Sequence, residues 1–246
     1  MFNDVGELRD FYASSLGQVT RRILRQKILE IWPSLRGQRL LGLGYATPFL
    51  DAYKDACERR IALMPASQGV IPWPNTPLNS VALAYEYQLP FADFSLDRIL
   101  IVHGLEGTSN PTAFLDEVWR TLTGDGRVLM VVPNRLGLWS RLERTPFGHG
   151  QPYSLQQLLR LLRDHYFTPL TTSRALFMPP MRSRLWLSSA KMWEKLGQNW
   201  LPGFAGALLI EARKEIYSTG GAKPTRKPAY LPIPGTYAGA TTPQTM

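Results

Sequence analysis

The chain has 246 residues, 28 Lys and Arg against 19 Asp and Glu, and a formal net charge of +9. With 44% hydrophobic and 19% charged residues it has the apolar content of a packed core, which excludes a mainly disordered chain. A single cysteine, Cys57, excludes an internal disulfide scaffold and suits a reducing, cytoplasmic setting. No run approaches ~18 apolar residues, so no transmembrane segment is expected. The opening MFNDVGELRD lacks the apolar run of a secretory signal.

Residues 5–31 carry Leu8, Phe11, Tyr12, Leu16, Val19, Ile23, Ile28 and Ile31 at three- and four-residue steps, which predicts one long amphipathic helix ending at Trp32-Pro33. Leu40 to Leu43 reads as a strand and is followed by a tight turn. Thr47 is then a candidate N-cap and Pro48 a first helical residue, for a helix over residues 48–60. Short strands are predicted at Ile61–Met64 and Val81–Ala84, separated by a proline-rich loop. Arg98–Val102 and Arg127–Val132 are continuous apolar runs. Between them Pro111–Leu122 predicts a helix, and Gly124-Asp125-Gly126 a turn. Apolar strands alternating with helices indicate a parallel sheet covered on both faces.

Beyond Asn134 an arginine-bearing connection leads to a helix capped by Ser154, with Leu155, Leu158, Leu159 and Leu162 as its inner stripe. A strand near Ser173–Phe177, a helix near Leu185–Leu196 and a last strand at Ala205–Ala212 complete the pattern. From Tyr217 onward apolar periodicity disappears. The expected organisation is an N-terminal helical extension over 1–36, an α/β domain over 37–212, and a flexible basic tail over 213–246. No His/Cys/Asp/Glu cluster has metal-ligand spacing, so no metal is implied.

Three stretches carry a resemblance: "RLLGLGYATPFL" at 39–50, "LPFADFSLDRILIVHGLE" at 89–106, and "FLDEVWRTLTGDGRVLMVVPN" at 114–134. In order and spacing they resemble class I S-adenosylmethionine-dependent methyltransferases, and more narrowly the type 11 group. The resemblance implies a Rossmann-like α/β fold with a mostly parallel central sheet, helices on both faces, and an additional N-terminal helix. It also implies S-adenosylmethionine as cofactor, lying across the carboxyl ends of the strands.

Carried onto this sequence, the cofactor-binding positions are Gly42, Gly44, Tyr45, Ala46, Met64 and Glu86. Gly42 stands where many members have an acid, and Ala46 and Pro48 where further glycines are usual. The family's ribose-binding carboxylate falls near Met64-Pro65, yet no Asp or Glu lies between Glu58 and Glu86. Gln68, Asn75 and Asn79 are the neutral acceptors in that loop. His103, directly after the fourth strand, is the candidate catalytic base. Tyr12, Glu106 and His149 are candidate substrate-binding residues, and Glu106 is alternatively a cap for the helix after Pro111. His165 is expected to be structural.

Two functions are open at this stage. One is methyl transfer to an acceptor that the sequence does not identify: a small metabolite, a quinone precursor, RNA or protein. The other is a catalytically inactive methyltransferase-like domain that binds RNA or protein. The second rests on Arg135, Arg141, Arg144, Arg160, Arg163, Arg174, Arg182 and Arg184, interleaved with Trp139 and Trp186.

Overall fold

In the computed structural model, the described residues are 4–74, 79–181, 183, 187, 189–200 and 202–216. Asn75, Arg182, Arg184, Leu185, Trp186 and the tail from Tyr217 lie outside them. Seven strands form one sheet in the order β3-β2-β1-β4-β5-β7-β6. These are β1 (Arg39–Gly44), β2 (Arg59–Pro65), β3 (Val81–Ala84), β4 (Leu96–Val102), β5 (Leu122–Pro133), β6 (Phe167–Ala175) and β7 (Ala207–Lys214). The first five pair in parallel, and β7 runs antiparallel between β5 and β6. This is the Rossmann-like class I methyltransferase arrangement expected from the resemblance.

Alternation along the strands divides the core into two layers, because successive side chains point to opposite faces. Leu40, Ala62, Met64, Leu100, Val102, Leu129 and Leu209 meet helices α1 (Val5–Ala13), α2 (Ser15–Ile31) and α3 (Thr47–Leu50). Leu41, Leu63, Ile99, Ile101, Val128, Met130 and Ile210 meet α4 (Pro111–Thr121) and α5 (Leu155–Asp164) on the other face. A further helix, α6 (Ala190–Trp200), packs Trp193 and Ala190 against the first layer. The expected burial on both faces is therefore present.

Several local expectations are corrected. The long N-terminal helix is two helices. Ser14 is extended (φ −67°, ψ 161°), and its hydroxyl accepts from Gly17 N at 3.1 Å, so it caps α2 while closing α1. The helix expected over 48–60 is four residues of α-helix followed by a 3₁₀ turn at Asp51–Tyr53. Thr47 lies inside this helix rather than capping it; Ala46 is the cap residue and supplies no side-chain bond. Gly124-Asp125-Gly126 belongs to β5, and β6 begins at Phe167, several residues before the expected strand. The middle of β6 is a polar, exposed row at the sheet edge, so it lacked the apolar pattern of a buried strand.

Candidate functional site

The carboxyl ends of β1, β2 and β4 converge where the order of connections reverses, the usual ligand position in an open α/β sheet. Gly44 ends β1 with φ +79°. A Cβ there would stand 2.4 Å from Val102 O, so only glycine allows β1 and β4 to pass so closely. The ladder continues one step further, with Tyr45 N donating to Val102 O at 2.7 Å. His103 follows on β4 in the left-handed region (φ +51°), and its carbonyl accepts from Gln68 Nε2. Non-glycine residues in that region are uncommon and worth a functional reading.

The His103 ring is held from both sides. Tyr12 Oη lies 2.9 Å from Nε2, and Glu106 Oε1 lies 3.0 Å from Nδ1. All three residues are buried. Tyr12 arrives from α1, at the helix break that Ser14 makes. Its ring stacks on Tyr45 at 5.5 Å and meets Phe49 edge-on at 5.9 Å. Burial, with lesser contributions from Tyr45 and Glu106, pushes the Tyr12 phenol well above its ordinary range. Tyr12 therefore keeps its proton. A carboxylate at Glu106 can only accept, so the consistent arrangement has Nδ1–H donating to Glu106 and Tyr12 donating to Nε2.

Glu106 Oε2 is buried and makes no hydrogen bond within the protein. Beside it lies a cavity of about 10 Å³, lined by Gln68, His103, Glu106 and His149 and with room for about one water. His149 is fixed there by Nε2 at 2.6 Å from Glu143 O. The expectation that Glu106 caps the following helix is corrected, because Asn110 does so through Ala113 N. Outside the site, His165 pairs with Asp116 at 2.8 Å.

A larger cavity of about 590 Å³ opens on the other side of Tyr12. Its walls include Tyr12, Tyr45, Thr47, Asp51 and Trp73, with Arg9 and Arg21 contributed by α1 and α2. The volume suits a nucleoside-sized ligand. The indole Nε1 of Trp73 is buried and has no hydrogen-bond partner. Asp51 was not among the expected residues. It places a carboxylate on the cavity wall, 3.6 Å from Arg60 Nη1, ahead of the stretch between Glu58 and Glu86 that has none. Asp51 reaches the wall because the helix after β1 gives way to a 3₁₀ turn at that residue.

The motif positions divide. Tyr45 lines the cavity, whereas Gly44 does not and packs against Val102 and Gly104. Gly42 lies beneath Leu50 and Ala46, Met64 is fully buried with its sulfur 3.5 Å from Ile71 N, and Ala46 is fully buried. Glu86 is buried just beyond β3 and does not line the cavity. Trp139, expected on an arginine-rich surface, is instead fully buried and donates to Met178 O at 2.8 Å. Among the described residues no group of three His, Cys, Asp or Glu could hold a metal ion, and no helix is long and apolar enough to cross a membrane.

Residues 34–130 match the family described as "Methyltransferase domain". No curated protein matches the chain in sequence. Among solved structures, a SAM-dependent methyltransferase from Thermotoga maritima is 17% identical, with 86% of this chain and 96% of that chain covered and a TM-score of 0.54. Another from Archaeoglobus fulgidus is 16% identical, with 79% and 94% covered and a TM-score of 0.56. The [4+2]-cyclase SpnF is 18% identical, with 82% and 83% covered and a TM-score of 0.52. Identities this low carry the fold alone, and the fold serves more than one chemistry.

Proposed function

We propose that this chain is a class I S-adenosylmethionine-dependent methyltransferase, which binds S-adenosylmethionine and transfers its methyl group to a protic acceptor. The observation that carries this reading is the Tyr12–His103–Glu106 chain, which ends at the wall of the 590 Å³ cavity beside the glycine turn. The cavity fits the cofactor on two structural grounds. Its volume suits a nucleoside-sized ligand, and Trp73 on its wall carries an indole N–H without a partner. Tyr45 and Trp73 would flank the cofactor's flat portion, and Asp51 would accept from its hydroxyl groups in place of the absent strand-end acid. The bound cofactor supplies an electrophilic methyl group.

The chain's own contribution is positioning and the removal of one proton. His103 has both ring nitrogens engaged, so the group that meets an acceptor is the Tyr12 hydroxyl. As an acceptor O–H or N–H gives its proton to Tyr12 Oη, Tyr12 passes its own to His103 Nε2. The imidazolium so formed is stabilised by Glu106, as in other acid-oriented histidine relays. Glu106 and His103 are thus positioning and relay groups, and Tyr12 is the proposed catalytic residue.

Calorimetric titration with S-adenosylhomocysteine tests the cofactor half. Trp73→Phe and Asp51→Asn are each expected to weaken binding about tenfold, the effect of losing one hydrogen bond of ~1.4 kcal/mol. Absence of heat at millimolar ligand with folded protein refutes it. Tyr12→Phe tests the other half: S-adenosylhomocysteine affinity stays within about threefold, while methyl transfer to hydroxyl or amine acceptors found by screening falls by ~10²-fold or more. Undiminished transfer by Tyr12→Phe refutes the relay.

A further inference from the structure

A second surface lies outside the cleft. Leu136, Leu138, Met192, Leu196, Trp200 and Phe204 are large apolar side chains that are each more than two-fifths exposed. Trp200, at 76%, is the most exposed large hydrophobic residue among those described. Met192, Leu196 and Trp200 recur every four residues, so they share one side of α6, while Ala190, Glu194 and Gly197 are the positions it buries. Phe204 continues the row past the helix end, in the 3₁₀ turn Pro202–Phe204. Asn134 joins this segment to the loop bearing Leu136 and Leu138. Its Nδ2 donates to Gly203 O at 3.0 Å and to Ala205 O at 2.7 Å, and its backbone N to Gly206 O at 3.0 Å. These bonds hold the start of the loop against the chain that follows α6.

Exposed cations outnumber exposed acids around this row: Arg135, Arg141, Arg144 and Lys195 against Glu30 and Glu143. Arg135, Arg141 and Lys195 are exposed on the same two segments. The acid within them, Glu194, is buried and accepts from Leu176 N and Phe177 N at 3.2 and 2.7 Å, so it does not offset them. Protruding Leu, Met, Phe and Trp side chains fringed by cations, on a chain of net charge +9, match an anionic bilayer surface on both counts. The apolar row enters the headgroup boundary, and the guanidinium and ammonium groups meet lipid phosphates.

We propose that the face formed by α6, the turn at Phe204 and the loop at 135–141 docks this protein peripherally on anionic membranes. Its position has a consequence for the cleft. The loop follows the carboxyl end of β5, and its Trp139 stacks edge-on with Phe147, which in turn meets the His103 ring at 4.9 Å. Docking would therefore set the relay-bearing end of the sheet toward the lipid. This consequence rests on the proposed function, whereas the docking itself does not.

The test is flotation of the full chain with vesicles of phosphatidylcholine alone and of an equal mixture of phosphatidylcholine and phosphatidylglycerol. The chain is expected to float with the mixed vesicles and to be released by high salt. A combined Met192→Gln, Leu196→Gln and Trp200→Ser variant should lose at least about tenfold in partitioning. Leu136→Gln, on the other segment, should lose about threefold without touching the helix. Both variants should keep the parent's circular dichroism and its affinity for S-adenosylhomocysteine, which separates failure of docking from failure of the cleft assignment. Equal flotation of parent and variants overturns the proposal, as does a parent that stays in solution with both vesicles. A concentration-dependent dimer abolished by the combined variant, with no vesicle binding, overturns it in favour of self-association.

Discussion

Replacing Gly44 by alanine tests the reasoning that β1 and β4 approach so closely at their carboxyl ends that only glycine fits there. Two costs add there. A non-glycine residue at φ +79° costs roughly 1–2 kcal/mol, and the new Cβ would lie 2.4 Å from Val102 O. That oxygen already accepts from Tyr45 N and belongs to a central strand paired on both sides, so it has little freedom to retreat. Overpacking of this kind adds roughly 1–3 kcal/mol, for a total of about 2–5 kcal/mol. Gly37 is the internal control: it has φ +69°, yet nothing lies within 4 Å of where its Cβ would stand. Gly37→Ala should cost only the conformational part, about 1–2 kcal/mol. Urea unfolding of both variants, compared at unchanged m, separates the two contributions. For a domain of this size Tm should fall by ~4–20 °C for Gly44→Ala and ~2–8 °C for Gly37→Ala. Equal losses in the two variants would mean that the crossing imposes no steric demand, and the account of Gly44 would fail.

Two further predictions concern pH. Lys214 is buried, donates to Leu122 O at 2.7 Å and lies 3.9 Å from the ring centres of both Phe94 and Trp119. Burial pushes its ammonium down to about 8, below the unfolded value, so the unfolded chain binds more protons between about pH 8 and 10 and stability should rise across that window. The rings favour the charged form, so the rise is expected at ~1–3 kcal/mol by denaturation, and Lys214→Met should remove it; a flat parent profile would refute the assignment. Asp97 accepts from Arg39 Nε, Nη2 and backbone N at 2.8–2.9 Å, and these bonds hold its carboxyl below the ordinary value. Its contribution is complete above about pH 4 and is lost as pH falls through the lowered value. Arg39→Met should therefore cost ~1 kcal/mol at neutrality, a figure reduced by solvent screening of the partly exposed pair, and less at pH 2. A loss independent of pH would point to packing instead.

The parts of the fold legible in the sequence were those whose signal is local. Leu40–Leu43, Ile99–Val102 and Val128–Val132 are buried on both sides, so each reads as an apolar run whatever its partners. Ser154 was legible as a cap because its partner, Gln157, is three residues away and the reciprocal bonds form within one turn. The break at Ser14 was not, since the apolar spacing runs through it unbroken. What decides it is a serine whose hydroxyl both caps α2 and donates to Phe11 O at 2.6 Å. Trp139 lies in a polar, arginine-bearing stretch, and its burial depends on a carbonyl 39 residues away. The relay was legible only as single residues. His103 and Glu106 are three apart in sequence, but Tyr12 joins them across 91 positions.

That separation bears on how the site should respond to change. Gly42, Ala46 and Met64 occupy motif positions yet lie within the packing, while the cavity walls join Tyr45 and Thr47 of the motif to segments outside it: Tyr12 from α1, Asp51 from the 3₁₀ turn, and Trp73 from the proline-rich loop. A substitution at the first group acts on the volume of a filled core, so its effect should be read in unfolding. A conservative substitution at the second removes one polar atom from a cavity wall, so its effect should be read in ligand affinity with little loss of stability. Met64→Ala, which deletes a fully buried side chain, is expected to cost about 2–5 kcal/mol in urea unfolding. Trp73→Phe keeps an aromatic ring under the Arg60 guanidinium, which sits 5.1 Å from the indole centre, and removes the unpartnered N–H with part of the indole. It should lower the urea midpoint less than Met64→Ala while weakening S-adenosylhomocysteine binding. The reverse pattern, with Met64 controlling affinity and Trp73 only stability, would mean that the ligand lies over the motif residues and that the wall assignment is wrong.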